Sequence, residues 1–80
     1  MESKIAIIGI FVKKASSVEK VNEILHQYAD KILGRMGLPH IDGVNVISVI
    51  IKACGDDINS LSGKLGAIDG VSAKAMQAKF

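Results

Sequence analysis

The sequence predicts an α+β domain made of two βαβ units, with a four-stranded antiparallel sheet and two helices on one face. The main observation is a repeat in the apolar pattern, offset by half of the 80 residues. Within it, Val18, Val21, Leu25 and Tyr28 recur as Ile58, Leu61, Leu65 and Ile68, and Ile7 and Ile10 recur as Ile47 and Ile50. The second observation is that each half reads as an apolar run, an amphipathic segment and a weaker apolar run.

The first unit begins with a continuous apolar run at residues 5–12, rich in β-branched residues. Such a run is typical of a strand buried on both faces. Ser16 and Glu19 have the spacing of a capping box, which predicts a helix over about residues 17–29. Its apolar residues recur at helical spacing, so this helix buries one face.

The remaining elements follow the same alternation of apolar runs and turn signals. They are a short strand at 32–36, a connection at 37–43 with Asp42-Gly43 as its turn, a strand at 44–51, a helix at about 57–67 and a last strand at 71–76. Two crossovers joined by a hairpin-like connection give a ferredoxin-like plait, with the first and third strands central. A chain of this length makes one domain, assigned to residues 1–80.

Both faces of the two central strands are apolar. In the first, Ile5, Ile7 and Phe11 alternate with Ala6, Ile8, Ile10 and Val12; in the third, Val44, Val46 and Ile50 alternate with Ile47, Val49 and Ile51. The chain is 49% hydrophobic, with a mean hydropathy of +0.34. Helices on one side leave the other sheet face open, and an apolar face in water promotes association. We therefore expect a homodimer or homotetramer packed through this open face.

Charge and cysteine content narrow the class of protein. A net charge of +2 does not predict direct binding to nucleic acid. The single cysteine, Cys54, cannot form an internal disulfide and fits a reducing cytoplasm. The N-terminal apolar run is short and preceded by Glu2, unlike a signal peptide, and no run is long enough to span a bilayer. The sequence thus predicts a cytoplasmic protein without a membrane partner.

Two places carry groups that suit an anion. Lys13, Lys14 and Ser16 precede the first helix, whose N-terminus attracts negative charge, although the lysines also suit a solvated strand end. Arg35 stands among glycines in the second strand, where it would bind a carboxylate or phosphate, or lie at a sheet edge. We predict a weak anion or carboxylate site at Lys13, Lys14 and Ser16, with Arg35 as a further ligand-binding residue.

The soft metal ligands are His26, His40 and Cys54, and their spacing matches no common metal motif. Unrelated surface histidines and a small buried cysteine explain them best. A metal site shared between subunits through His40 and Cys54 is the alternative. Cys54 also precedes a helix, but the adjacent Asp56 and Asp57 oppose a thiolate, so catalysis by Cys54 is not predicted.

Three runs carry a resemblance to a known family. They are residues 32–39 (ILGRMGLP), 46–48 (VIS) and 61–71 (LSGKLGAIDGV). Together they resemble small proteins described as regulators of iron-only hydrogenase systems. The resemblance implies a stand-alone ACT-like domain, related in fold to the C-terminal domain of the nickel-responsive repressor. It further implies a regulatory oligomer without enzymatic activity. We expect no cofactor, and because the sequence shows no helix-turn-helix or ribbon-helix-helix, any effect on transcription would need another regulatory protein.

Two other functions remain as alternatives. One is a metal- or amino-acid-sensing domain. The ACT-like resemblance implies an effector at the loop before the first helix, whereas a metal would bind His40 and Cys54. The other is a small enzyme of the dimeric-barrel type. Such an enzyme needs a proton-transfer group between sheet and helices, and the apolar stripes offer only Tyr28 there. We therefore predict no enzymatic activity.

Overall fold

The computed structural model describes residues 2–79 and has the predicted order of elements, with the strands longer than expected. The elements are β1 (Lys4–Val12), a 3₁₀ turn (Ala15–Ser17), α1 (Val18–Gln27), β2 (Ile32–Ile41), β3 (Val44–Ala53), α2 (Gly55–Gly66) and β4 (Val71–Gln77). The sheet has the order β2-β3-β1-β4, and all its pairs are antiparallel. The predicted α+β fold, with β1 and β3 central, is confirmed.

The core lies between the two helices and one face of the sheet. Its members alternate along the central strands and recur at helical spacing in α1 and α2. They are Ala6, Ile8, Ile10, Val12, Val21, Leu25, Ile47, Val49, Ile51, Ala53, Ile58, Leu61 and Leu65. Truncating one of the large members to alanine costs about 2–5 kcal/mol, because the cavity left behind refills only in part.

The other face of the sheet, which we call the open face, is exposed in a single copy. Burial of β1 on both faces is therefore not seen within one chain, where only the side toward the helices is covered. The large exposed hydrophobic residues placed on the open face by strand register are Ile5, Ile7, Phe11, Met36, Leu38, Ile41, Ile50 and Met76. Ile7 and Phe11 of the central strand are 42% and 49% exposed.

The second strand continues beyond its predicted end. Gly37 pairs with Ile47 and Leu38 with Val46, so the glycine and proline signals do not stop the strand. An irregularity between Leu38 and Ile41 absorbs Pro39, which has no N–H to donate to a ladder. The turn itself is Asp42-Gly43, with φ of 51° and 79°, the left-handed pair that a tight hairpin turn requires.

The predicted capping box at Ser16 and Glu19 is wrong. The chain enters α1 through the 3₁₀ turn, and the N-cap residue is Ser17, which makes no side-chain capping bond. The hydroxyl of Ser17 donates instead to the carbonyl oxygen of Asp69, at 2.6 Å. The second helix begins at Gly55, with Asp56 and Asp57 in its first turn, where the helix dipole favours negative charge.

Candidate functional site

The loop between β1 and α1 packs against the turn that precedes β4. The backbone N–H of Lys13 donates to the carbonyl of Gly70 at 2.8 Å, and Ser17 binds Asp69 as described above. The ammonium of Lys14 lies 2.6 Å from a carboxylate oxygen of Asp69. A Cβ on Gly70 would lie 2.7 Å from the Cβ of Lys14, and its φ is +77°, so this close approach requires glycine.

Asp69 changes the electrostatics of the site predicted from Lys13, Lys14 and Ser16. Its hydrogen bond to Lys14 raises the pKa of the lysine and lowers the pKa of the aspartate. An added anion would meet this carboxylate, so Asp69 competes with it for the Lys14 ammonium. The anion site at this loop stays a prediction. The sequence did not reveal the ion pair between Asp69 and Lys14, because the dipeptide Asp69-Gly70 indicates only a turn.

Arg35 lies apart from that loop, on the helix-facing side of β2. It pairs in register with Val49, whose side chain is buried beneath the helices. Its guanidinium Nη2 donates to Oδ1 of Asn22 on α1, at 2.7 Å. Among residues 2–79 no carboxylate lies within ion-pair distance of Arg35; the ion pairs found there are Lys14–Asp69 and Lys31–Asp30. The guanidinium therefore bridges α1 and β2 through a neutral amide.

An open groove runs between α1 and β2, and the Arg35–Asn22 bridge crosses it. On one side of the bridge is a cavity of about 230 Å³, lined by Val18, Gly37, Leu38, Pro39, Asn45, Val46 and Ile47. On the other side is one of about 220 Å³, lined by Leu25, His26, Ala29 and Ile32. The groove stays open because β2 is an edge strand, exposed from Arg35 to its end.

The irregular segment of β2 lies at one end of this groove. His40 has φ of 60°, the left-handed region that a non-glycine residue rarely adopts. Its backbone N–H donates to Oδ1 of Asn45 at 3.0 Å, which holds the segment to the start of β3. Pro39 and Asn45 both line the larger cavity, so this hydrogen bond shapes its end.

The structure separates the candidate metal ligands. His40 lies beside Asn45 at the start of β3, whereas Cys54 follows the end of that strand. Nine residues of strand span about 30 Å, so His40 and Cys54 of one copy cannot share an ion. His26 lines the smaller cavity on α1, and residues 2–79 contain no cluster of three or more metal-ligating side chains. A metal site between subunits stays a prediction.

Tyr28 lies where the two helices meet. Its hydroxyl is 3.4 Å from Oγ of Ser60, and the ammonium of Lys64 lies 5.2 Å from the ring centre. The hydrogen bond with Ser60, followed by that with Lys64, lowers the pKa of Tyr28. The ring packs against the edge of the core, and the hydroxyl links the helices at the surface rather than entering the groove. Within residues 2–79, no helix has the length and apolar content to cross a membrane.

Comparison with known proteins places this chain in a family. Residues 4–75 match the family model described as "TM1266-like: Iron-only hydrogenase system regulator, putative". The solved structure of the uncharacterized protein TM1266 from Thermotoga maritima is 36% identical, with a TM-score of 0.91, and the match covers 98% of this chain and 100% of that one. No curated protein matches the chain significantly.

Two more distant structures share the fold. The C-terminal domain of the MgtC protein from Mycobacterium tuberculosis is 12% identical, with a TM-score of 0.76 over 94% of this chain and 87% of that one. An unknown protein from Galdieria sulphuraria is 11% identical, with a TM-score of 0.72 over 99% of this chain and 47% of that one. At these identities the likeness concerns the fold alone.

Proposed function

The chain belongs to the TM1266-like family of iron-only hydrogenase system regulators, and on this premise we propose a non-enzymatic regulatory domain that works as a homo-oligomer. The oligomer forms through the open face of the sheet. Regulation then passes through a further regulatory protein that recognises the assembled form. The observation that carries the proposal is the apolar character of the open face.

Strand register arranges the open face in rows that cross the sheet. One row is Gly34, Ile50, Ile7 and Met76, and another is Leu38, Val46, Phe11 and Ser72. Between them lies the row Met36, Ser48, Gly9 and Lys74. Four strands and about seven residues of strand rise cover about 400 Å² in plan. The two outer rows of this face are mostly apolar, whereas the middle row contains Ser48 and Lys74. Exposed apolar rows of this kind often mark an interaction surface.

Gly9 favours a second copy of the chain as the partner. It sits in the central strand between the two apolar rows, and a Cβ built there meets no atom within 4 Å. Its φ is not in the left-handed region, so the protomer does not require glycine. Glycine in a strand interior costs about 0.5–1 kcal/mol relative to alanine. A second sheet packed closely over Gly9 would require a residue without a side chain and so explains why glycine occupies this position.

A two-fold axis near Gly9 makes the open face complementary to itself. Gly9 of one copy faces Gly9 of the other, and the apolar rows on either side of Gly9 interdigitate across the axis. Lys74 is at the edge strand, where its long side chain reaches water past the apolar contact. Packed sheets lie about 10 Å apart, a distance that a large side chain at the centre would increase.

Sedimentation velocity of wild type, Gly9→Val and Gly34→Val at 1–100 μM tests the proposal. Gly34 is the matched control, since it too has no atom within 4 Å of a built Cβ but lies on edge strand β2. We expect a wild-type dimer or tetramer, at least tenfold weaker association of Gly9→Val, and a smaller effect of Gly34→Val. A wild-type monomer at 100 μM contradicts the oligomer, and unchanged association of Gly9→Val contradicts packing centred on Gly9.

A further inference from the structure

We propose that the groove between α1 and β2 binds a small organic carboxylate. The carboxylate accepts from the guanidinium of Arg35, and the apolar part of the ligand lies in the larger cavity against Pro39 and Ile47. This inference goes beyond the proposed function because it concerns the helix side of the sheet and does not depend on the open face. It gives the regulatory domain an effector site.

The guanidinium is the recognition group. It has five N–H donors in a planar fork, and the contact with Asn22 uses the Nη2 group alone. That bond to α1 holds the exposed side chain over the groove. Arg35 has no carboxylate partner among the described residues, so a ligand carboxylate supplies the missing charge in bidentate geometry.

The cavity beside the guanidinium sets the size of the ligand. Its volume of about 230 Å³ equals roughly eight water volumes at about 30 Å³ each. Gly37 keeps this space open, since the nearest atom to a Cβ built there is Cγ1 of Ile47 at 3.9 Å. Val18, Pro39 and Ile47 give the cavity apolar walls, which suit a short aliphatic chain.

The end of the cavity is built by strained backbone. A left-handed histidine persists only where surrounding contacts hold it, and such strain concentrates at functional sites. Here the contact is the bond from the His40 N–H to Oδ1 of Asn45. That bond leaves the amide Nδ2 group of Asn45 to donate to a ligand.

The charge of the groove favours a monoanion. Among residues 2–79, Arg35 is the one cationic side chain lining the larger cavity, and neither a lysine nor an acid lines it. Val18, the first residue of α1, also lines the cavity, so the positive end of the helix dipole lies beside it. One full positive charge beside apolar walls matches a monocarboxylate better than the dianion of phosphate.

The test is an NMR titration of the ¹⁵N-labelled full chain with isovalerate, its neutral isostere isovaleramide, and inorganic phosphate, each to 10 mM. We expect isovalerate to shift the amides of residues 35–40 and 45–47, and isovaleramide and phosphate to bind at least tenfold more weakly. No shift with isovalerate, shifts centred on residues 13–17, or equal binding of isovaleramide or phosphate would overturn the proposal.

Variants locate the site within the groove. Arg35→Gln removes the charge at an exposed position, and Gly37→Val fills the cavity from its floor. Each should weaken isovalerate binding at least tenfold, whereas Lys64→Gln, which removes a positive charge from α2, should leave it unchanged. Equal isovalerate affinity of Arg35→Gln and wild type, at matched thermal stability, refutes the assignment of Arg35. Sedimentation of the same samples reports the oligomer separately.

Discussion

Replacing Ser17 with alanine tests how the chain enters the first helix. Ser17 is 4% exposed, and its hydroxyl donates at 2.6 Å to the carbonyl oxygen of Asp69, 52 residues away in sequence. Removing the hydroxyl takes away the hydrogen-bond donor to the part-buried carbonyl oxygen of Asp69. An acceptor left in that state costs about 1–3 kcal/mol.

The neighbouring Ser16 provides the matched control. It is exposed and belongs to the 3₁₀ turn. Surface changes of this kind stay within about 0.5 kcal/mol. In a capping-box arrangement the order would reverse, because loss of a capping hydroxyl costs about 1 kcal/mol. The pair of substitutions therefore distinguishes the structure from the sequence-based prediction.

The assay is thermal and urea unfolding of wild type, Ser16→Ala and Ser17→Ala at one fixed protein concentration. For a domain of this size, Tm falls by about 4–8 °C for each kcal/mol lost. We expect a fall of at least 4 °C for Ser17→Ala and a fall of less than about 4 °C for Ser16→Ala. If Ser16→Ala lowers Tm as much as Ser17→Ala, the contact between Ser17 and Asp69 does not stabilise the fold as argued.

Two further predictions concern the same junction. Gly70→Ala should destabilise by more than 1 kcal/mol, since its Cβ would lie 2.7 Å from the Cβ of Lys14 at a φ of +77°; unchanged urea unfolding would contradict this. Asp69→Asn should lower Tm at pH values between the ordinary pKa values of the partners, 3.8 and 10.5. Because the pKa of Asp69 is lowered in the folded protein, the stabilisation by the ion pair is lost as pH falls through the pKa of Asp69. Because the pKa of Lys14 is raised, the same stabilisation is lost as pH rises through the pKa of Lys14. The Tm difference from wild type should therefore shrink at both extremes, and a difference independent of pH would rule out the ion pair as its cause.

The spacing of apolar residues predicted the helices and strands well where each element buries one regularly spaced set of side chains. The recurrence of Val21 and Leu25 as Leu61 and Leu65 placed both helices, and all four side chains are buried. The alternation in β1 separated the two faces correctly. It could not assign which face the helices cover, because the alternate residues of β1 are similarly apolar.

The features that the sequence did not predict depend on contacts between segments that are distant in sequence. Gly37 and Pro39 predict a loop locally, yet pairing of β2 with β3 extends the strand to Ile41. The Ser17–Asp69 bond joins the start of one helix to the turn after the other. Arg35 could be singled out from its setting among glycines, but not its partner Asn22, because that contact depends on how α1 crosses the sheet.

The two proposals occupy opposite sides of one strand, and this makes each a control for the other. Along β2, Arg35 and Gly37 face the groove, whereas Met36 and Leu38 lie on the open face. Arg35→Gln should therefore leave the sedimentation of the protein unchanged, and Gly9→Val should leave the affinity for isovalerate unchanged. If either variant alters both measurements, ligand binding and self-association are linked through the sheet, and the linkage must then be reciprocal in free energy.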